Sequence, residues 1–236
     1  MFFLDPTFLC FMIPGLVLGF IAQTAIKRRF NKYSQVRTMR GMTGAQVARE
    51  ILQANGLYDV TVEETQGFLS DHYDPRSRTL RLSPEVYRVP SVSSAGVAAH
   101  EAGHALQHAK GYLPLRLRSA LVPAVQFGSN LAPFIIMGGI LLEAFLRLSA
   151  LGMTIAWIGV ALYGVVALFA IVTLPVEIDA SSRAKKLLYQ YNIVDKQELS
   201  GVTSVLNAAA WTYIVAAIAA LMQLAYWIFV LMGRRD

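Results

Sequence analysis

Three of the four histidines in this chain lie close together, in the stretch AAHEAGHALQHA at 98–109. His100 and His104 are four residues apart and Glu101 follows the first of them, which gives the pattern H-E-x-x-H. On a helix, side chains four residues apart lie on one face, about 5–6 Å from each other. Two imidazoles at that spacing can bind one zinc ion, and the neighbouring carboxylate can accept a proton from a zinc-bound water. The alternative is a solvent-exposed helix face with paired charges.

A catalytic zinc site needs a third protein ligand and keeps one position open. Four side chains are candidates for that ligand: His72, His108, Glu177 and Asp179. His108 continues the four-residue spacing, but a straight helix rarely brings three successive turns onto one ion, so we interpret His108 as a neighbour of the site or a surface residue. Glu177 and Asp179 follow Pro175, which suits the first turn of a helix.

The composition indicates an integral membrane protein. Hydrophobic residues make up 55% of the 236 residues and charged residues only 15%, against about 25% in soluble domains. Four apolar runs, at 8–26, 127–146, 151–174 and 208–233, are each long enough to span a bilayer. Basic residues follow the first run instead of preceding it, which favours a retained membrane helix over a cleaved signal peptide. The single cysteine, Cys10, excludes a thiolate-rich zinc site, and no basic nucleic-acid-binding motif is present.

The distribution of basic residues predicts the topology. Six of them crowd the end of the first apolar run: Lys27, Arg28, Arg29, Lys32, Arg37 and Arg40. Because basic residues favour the cytoplasmic side, we expect 27–126 and 175–207 to be cytoplasmic. Arg234 and Arg235 would then lie outside, against the same rule. An even number of crossings separates the histidines from Glu177, so these residues share one side in either orientation.

The expected fold is mainly α: a multi-pass membrane protein of about four membrane helices with a small α+β cytoplasmic catalytic region. We expect five segments: a membrane helix at 1–26, the catalytic region at 27–126, two membrane helices at 127–174, a helical third-ligand segment at 175–207 and a membrane helix at 208–236. Within the catalytic region, the pattern predicts an amphipathic helix at 43–57 capped by Thr43, strands at 60–64 and 78–83 joined by a turn, and a helix that begins near Ser91 or Ser93.

Four separate segments carry a resemblance to a known family: HEAGHALQHA, DHYDPRSRTLRLS, MTGAQVAREILQANG and LPVEIDASSRAKKLL. They resemble the bacterial, membrane-bound neutral zinc metallopeptidases of the YugP type, over nearly the whole chain. More distantly, the site is similar to that of the HtpX-like and CAAX prenyl endopeptidases, which are gluzincins with a zincin-like catalytic region. In those enzymes a glutamate in an E-x-x-x-D motif on a later helix completes the zinc site. Aligned on the downstream AKKL, this resemblance implies Glu177 as the third ligand.

The resemblance also exposes a departure. Ser181 stands where the motif has its aspartate. Asp179 is then a candidate to orient a histidine ring in its place, or to be the ligand itself. The implied function is a zinc-dependent endopeptidase in the bacterial cytoplasmic membrane, with His100, His104 and Glu177 as zinc ligands. Its substrates would be peptides or membrane proteins near the bilayer.

Two residues are predicted to take part in catalysis. Glu101 is the expected base that activates water. His72, in the predicted turn, is a candidate to polarise the scissile carbonyl or stabilise the oxyanion, or else a turn histidine bonded to Asp71 or Asp74. The alternative function is a membrane scaffold or adaptor whose zinc site is structural or degenerate, closed by His108 or Asp179 as a fourth ligand. The sequence predicts no particular oligomeric state.

Overall fold

The computed structural model describes residues 6–146 and 148–233 of the chain. In these ranges the fold is mainly helical, with seven helices and one small sheet. The helices are α1 (Pro6–Ser34), α2 (Gly44–Ala54), α3 (Pro84–Tyr87), α4 (Val92–Ala109), α5 (Leu113–Leu146), α6 (Ser149–Gln190) and α7 (Lys196–Met232). The strands are β1 (Thr61–Glu64), β2 (His72–Asp74) and β3 (Thr79–Leu82).

Four of the described helices are long and apolar enough to cross a membrane: α1, α5, α6 and α7. They cover the four predicted apolar runs, apart from residue 233 at the end of the last run, and each also includes residues outside its run. The expectation that Pro175 begins a helix is wrong, because Pro175 lies inside α6. A proline inside a helix removes one backbone donor, and membrane helices tolerate this where neighbouring groups satisfy the freed carbonyl. Arg234 and Arg235, whose position conflicted with the predicted topology, lie outside the described residues.

The sheet has the order β1-β3-β2, with β1 parallel and β2 antiparallel to β3. The predicted strands correspond to β1 and β3. The prediction that DHYDPRSR forms only a turn is wrong in its first half, because His72–Asp74 is the edge strand β2. The turn follows it: the Asp74 carboxylate accepts hydrogen bonds from the Arg76 amide and the Ser77 hydroxyl. Three residues are too few to show the alternation that identifies a strand.

The chain forms two compact units. Of the described residues, one unit holds 6–20, 117–146, 148–174 and 213–233, and the other holds 21–116 and 175–212. The second unit therefore joins α2, α3, α4 and the sheet to the C-terminal part of α6, more than sixty residues later in sequence. Its apolar core includes one face of α2, the predicted amphipathic helix, where Val47, Ile51 and Leu52 are fully buried. Thr43 caps α2 in a capping box with Gln46, which confirms the predicted start of that helix.

Helix α4 lies at the centre of this core. Its N-cap is Ser91, one of the two predicted starting points, and the Ser91 side chain accepts a hydrogen bond from the Ser94 amide. All of its residues except Val97, His108 and Ala109 are buried. The alternative of a solvent-exposed polar face is therefore wrong: the chemistry-bearing residues of α4 lie inside the protein.

Candidate metal centre

Helix α4 brings His100, Glu101 and His104 into one buried cluster. Each of the three is only 7–8% exposed. The two imidazole rings pack edge to face with their centroids 4.7 Å apart, as the four-residue spacing on a helix predicts. Buried polar side chains need partners, because leaving them unpaired in the interior costs free energy. Two partners of these rings, Glu177 and Ser181, lie on α6.

Glu177, on α6, faces both histidines. Its Oε2 lies 3.1 Å from His100 Nε2 and 3.6 Å from His104 Nε2, and the residue is 2% exposed. One donor atom from each of the three residues lies within 4.8 Å of the others. The structure thus brings together the three side chains that the sequence and the resemblance nominated as ligands.

A glycine allows α4 and α6 to approach this closely. A Cβ atom added at Gly103 would lie 2.8 Å from the Ala180 carbonyl oxygen and 3.3 Å from the Ala180 Cα. In real proteins a Cβ atom essentially never lies within 3.0 Å of a heavy atom from elsewhere in the chain. Gly103 is one of the two variable positions of H-E-x-x-H, so its small size sets the distance between the helix with the histidines and the helix with Glu177.

The second nitrogen of the His100 ring binds Ser181. His100 Nδ1 lies 3.1 Å from the Ser181 hydroxyl, which is itself buried. Ser181 occupies the position at which the resembled motif has an aspartate. Serine at this position therefore contacts the His100 ring, but through a neutral hydroxyl instead of the carboxylate of an aspartate. Groups that hold the free nitrogen of a histidine ligand set its orientation and tautomer.

The second nitrogen of the His104 ring binds Gln107, a residue that sequence reasoning missed. His104 Nδ1 lies 3.0 Å from Gln107 Oε1, and Gln107 is fully buried. Asp179 contacts Gln107 and Arg183 instead of a histidine, so it can orient the His104 ring only through Gln107. The available signal was a glutamine three residues after His104, next to the apolar Ala105 and Leu106, where a buried polar side chain must find a partner.

His108 does not join the cluster of donor atoms. Its Nδ1 lies 2.9 Å from the Tyr73 hydroxyl, which connects α4 to the edge strand β2. The expectation that His108 neighbours the site without being the third ligand agrees with this placement. Among the described residues, His100, His104 and Glu177 form the group of potential ligands, and neither His108 nor Asp179 belongs to it.

His72 lies on β2, opposite Arg81 of β3, and its side chain is exposed. Its Nδ1 is 2.8 Å from the Ser70 carbonyl oxygen, so this nitrogen donates the hydrogen bond. The bond is to the backbone, not to Asp71 or Asp74, the partners expected of a turn histidine. His72 is not part of the buried donor cluster, and its catalytic role stays a prediction.

The electrostatics of the site favour a bound cation. Burial disfavours the charged form of His104, but the hydrogen bond to Glu177 and the charges of Glu101 and Glu177 outweigh it, so the pKa of His104 is raised. Asp71 adds a further acid nearby: burial and the charge of Glu101 raise the pKa of Asp71 to about 6, although hydrogen bonds from Ser83 oppose the shift. The charges of Glu101 and Glu177 beside the two imidazoles create a negative potential that a divalent ion would neutralise.

The donor set fits zinc. Two imidazole nitrogens and one carboxylate oxygen are the ligands of many catalytic zinc sites. Both rings direct Nε2 towards Glu177 while Ser181 and Gln107 hold their Nδ1 atoms, so two nitrogen lone pairs can face one ion. Three protein ligands leave a coordination position open, as in a catalytic site, whereas structural zinc sites are usually closed by four.

The comparisons with known proteins agree with this site. A family model described as "Putative neutral zinc metallopeptidase" matches residues 8–232. A curated relative from Bacillus subtilis (strain 168), "Putative membrane protease YugP", is 44% identical over 229 residues, which is 97% of this chain and 98% of the relative. No solved structure matches the chain. By the extent of both matches, the chain belongs to this family of neutral zinc metallopeptidases.

Proposed function

We propose that this membrane protein is a zinc-dependent endopeptidase whose zinc is held by His100, His104 and Glu177. The observation that carries the proposal is the convergence of these three donor atoms within 4.8 Å at a buried site, with Glu101 beside the first histidine. The family and the relative named as a membrane protease support a proteolytic role. A zinc ion in this site would supply a Lewis acid that polarises the substrate carbonyl and lowers the pKa of water.

Glu101 is the residue we assign to proton transfer. It lies next to His100 in sequence and its charge acts on His104, so its carboxylate belongs to the same negative pocket. Glu101 would take a proton from the attacking water and later give it to the leaving amine. Ser181 and Gln107 hold the far nitrogens of the two rings, so the histidines stay fixed while the proton moves.

We place the catalytic region on the cytoplasmic side of the bacterial cytoplasmic membrane. The support is the basic cluster that ends α1 and the basic residues Arg183, Lys185 and Lys186 near the end of α6. The substrates we propose are membrane proteins or peptide segments close to the bilayer, and no nucleic-acid partner is proposed. The catalytic region would combine 27–126 with the third-ligand segment at 175–207, and the remaining segments would anchor it in the lipid bilayer.

The competing function, a scaffold with a structural zinc site, would need a fourth protein ligand. The two candidates for it have other partners: His108 binds Tyr73, and Asp179 binds Arg183 and Gln107. These contacts favour an open coordination position and therefore an enzyme.

The test compares the wild-type protein with Glu101→Gln. Both are purified in detergent, their zinc content is measured, and both are incubated with a mixture of membrane proteins. The proposal predicts equal zinc in the two proteins and cleavage by the wild type alone. Equal cleavage by both proteins would exclude Glu101 as the base, and no cleavage by either would favour the scaffold.

A further inference from the structure

Gln107 is a fully buried polar residue that the assignment of ligands and base does not use. Its amide makes three hydrogen bonds. Oε1 lies 3.0 Å from His104 Nδ1, while Nε2 donates to the Val176 carbonyl oxygen and to Asp179 Oδ2, both at 2.8 Å. Burying an amide of this size is costly unless it is fully paired, so this residue is held in one orientation.

The partners of Gln107 determine which atom faces His104. A carbonyl oxygen and a carboxylate oxygen can only accept hydrogen bonds, so the group between them must be the NH₂ of Gln107. Its two hydrogens are then both used, and Oε1 is the atom left to face the ring. An amide oxygen only accepts, so His104 Nδ1 must carry a hydrogen. In the neutral ring this leaves the lone pair on Nε2, the nitrogen that faces Glu177.

The side-chain amide of Gln107 is itself held by residues outside the group of proposed zinc ligands. Asp179 accepts a hydrogen bond of 2.6 Å from Arg183 Nε, and the Arg183 guanidinium lies over the Tyr112 ring at 5.8 Å from its centroid. The ion pair fixes the Asp179 carboxylate that Gln107 Nε2 needs as an acceptor. A chain of polar contacts therefore leads from the partly exposed Arg183 through Asp179 and Gln107 to the His104 ring.

Gln107 also touches the backbone beside the third ligand. The Val176 carbonyl belongs to the residue immediately before Glu177. One side chain of α4 thus contacts both the ring of one proposed ligand and the helix turn that carries another.

We propose that Gln107 is a positioning residue that fixes the His104 ring with its hydrogen on Nδ1 and anchors α6 at Glu177. The inference rests on the proposed function, in which His104 and Glu177 bind zinc. Outer partners of histidine ligands contribute 10–100-fold in metal affinity. Loss of Gln107 should therefore weaken zinc binding without removing a ligand.

The test is Gln107→Met, which keeps the length of the side chain and removes its hydrogen bonds. Zinc affinity is measured on full-length protein in detergent, by competition with a chelator. We expect the affinity to fall about 10–100-fold, and the proton signal of the His104 Nδ1–H in the zinc-loaded protein to broaden through solvent exchange. The control is Gln53→Met, at an exposed position of α2, which should change neither quantity.

A second variant covers the case in which Gln107→Met does not fold. Arg183→Met changes only the outer end of the chain of contacts and should weaken zinc binding in the same direction, by a smaller factor. Wild-type affinity and an unchanged Nδ1–H signal in the folded variants would overturn the inference while leaving zinc binding itself intact. If the wild type binds no zinc, or if His104→Ala binds it as tightly as the wild type, the proposed function fails as well.

Discussion

Substituting Gly103 by alanine should separate the two helices that form the metal centre. The new Cβ would lie 2.8 Å from the Ala180 carbonyl oxygen, and ordinary van der Waals contact begins at 3.4 Å. Restoring an ordinary contact requires one of the helices to move by about 0.6 Å, because the obstacle is backbone and cannot rotate away. Ala180 lies one turn after Glu177 on α6, so the third ligand should move with it.

The size of this effect follows from the geometry. Metal–ligand distances tolerate about ±0.2 Å, so a shift of about 0.6 Å exceeds what the site can absorb. Overpacking costs about 1–3 kcal/mol, and alanine returns about 0.5–1 kcal/mol through its better helix propensity. We expect a small net loss of stability in the zinc-free protein and a much larger loss of zinc affinity.

The assay measures thermal unfolding with and without zinc, together with zinc affinity by chelator competition. Gly96→Ala is the matched control, because it lies on the same helix and the closest atom its Cβ would meet is the side-chain Cγ1 of Val202, at 3.2 Å. That side chain can adjust, so Gly96→Ala should bind zinc as the wild type does. Wild-type zinc affinity in Gly103→Ala would refute the view that this close approach positions Glu177.

Three further predictions concern β2 and the residue before it. Tyr73→Phe removes the hydrogen bond to His108, worth about 1 kcal/mol, and should raise KM while leaving kcat unchanged; a change in kcat alone would contradict a positioning role for β2. Burial raises the pKa of Asp71, so the folded protein holds this proton up to a higher pH than the unfolded chain does. The free energy of unfolding should therefore fall as pH rises from about 4 to about 6. Asp71→Asn keeps an acceptor for the Ser83 amide and should raise stability above pH 6 by about 1–2 kcal/mol, which unfolding curves at pH 4 and pH 8 would check. His72→Ala should lower kcat about 100-fold at unchanged zinc content if His72 stabilises the oxyanion, whereas a kcat within threefold of wild type would exclude that role.

The part of the site that lies on one helix could be predicted from the sequence. The spacing of His100 and His104 fixes their common face on α4, whatever surrounds that helix. Glu177 could not be predicted from helix spacing, because no local sequence pattern connects it to histidines more than seventy positions earlier. Two arguments nominated Glu177: it lies on the same side of the membrane as the histidines, and the family resemblance implies it as the third ligand. The packing of α6 against α4 then brings it to the histidines.

The contacts around the ligands could not be predicted, since they depend on tertiary packing. The sequence nominated Asp179 as the group that orients a histidine ring, but Ser181 and Gln107 contact the rings directly. From the sequence, Gly103 could be identified only as a small residue within the H-E-x-x-H motif. Its role in the close packing of α4 against α6 follows from its distance to Ala180. The strand β2 was missed because three residues are too few for a periodic signal.

The zinc content of single variants, measured on purified protein with zinc in excess, tests the central claim most directly. We predict one zinc per chain in the wild type, in Glu101→Gln and in His108→Ala. We predict its loss in His104→Ala and in Glu177→Ala, because each removes one of three protein ligands. Full zinc content in Glu177→Ala, or its loss in His108→Ala, would contradict the account.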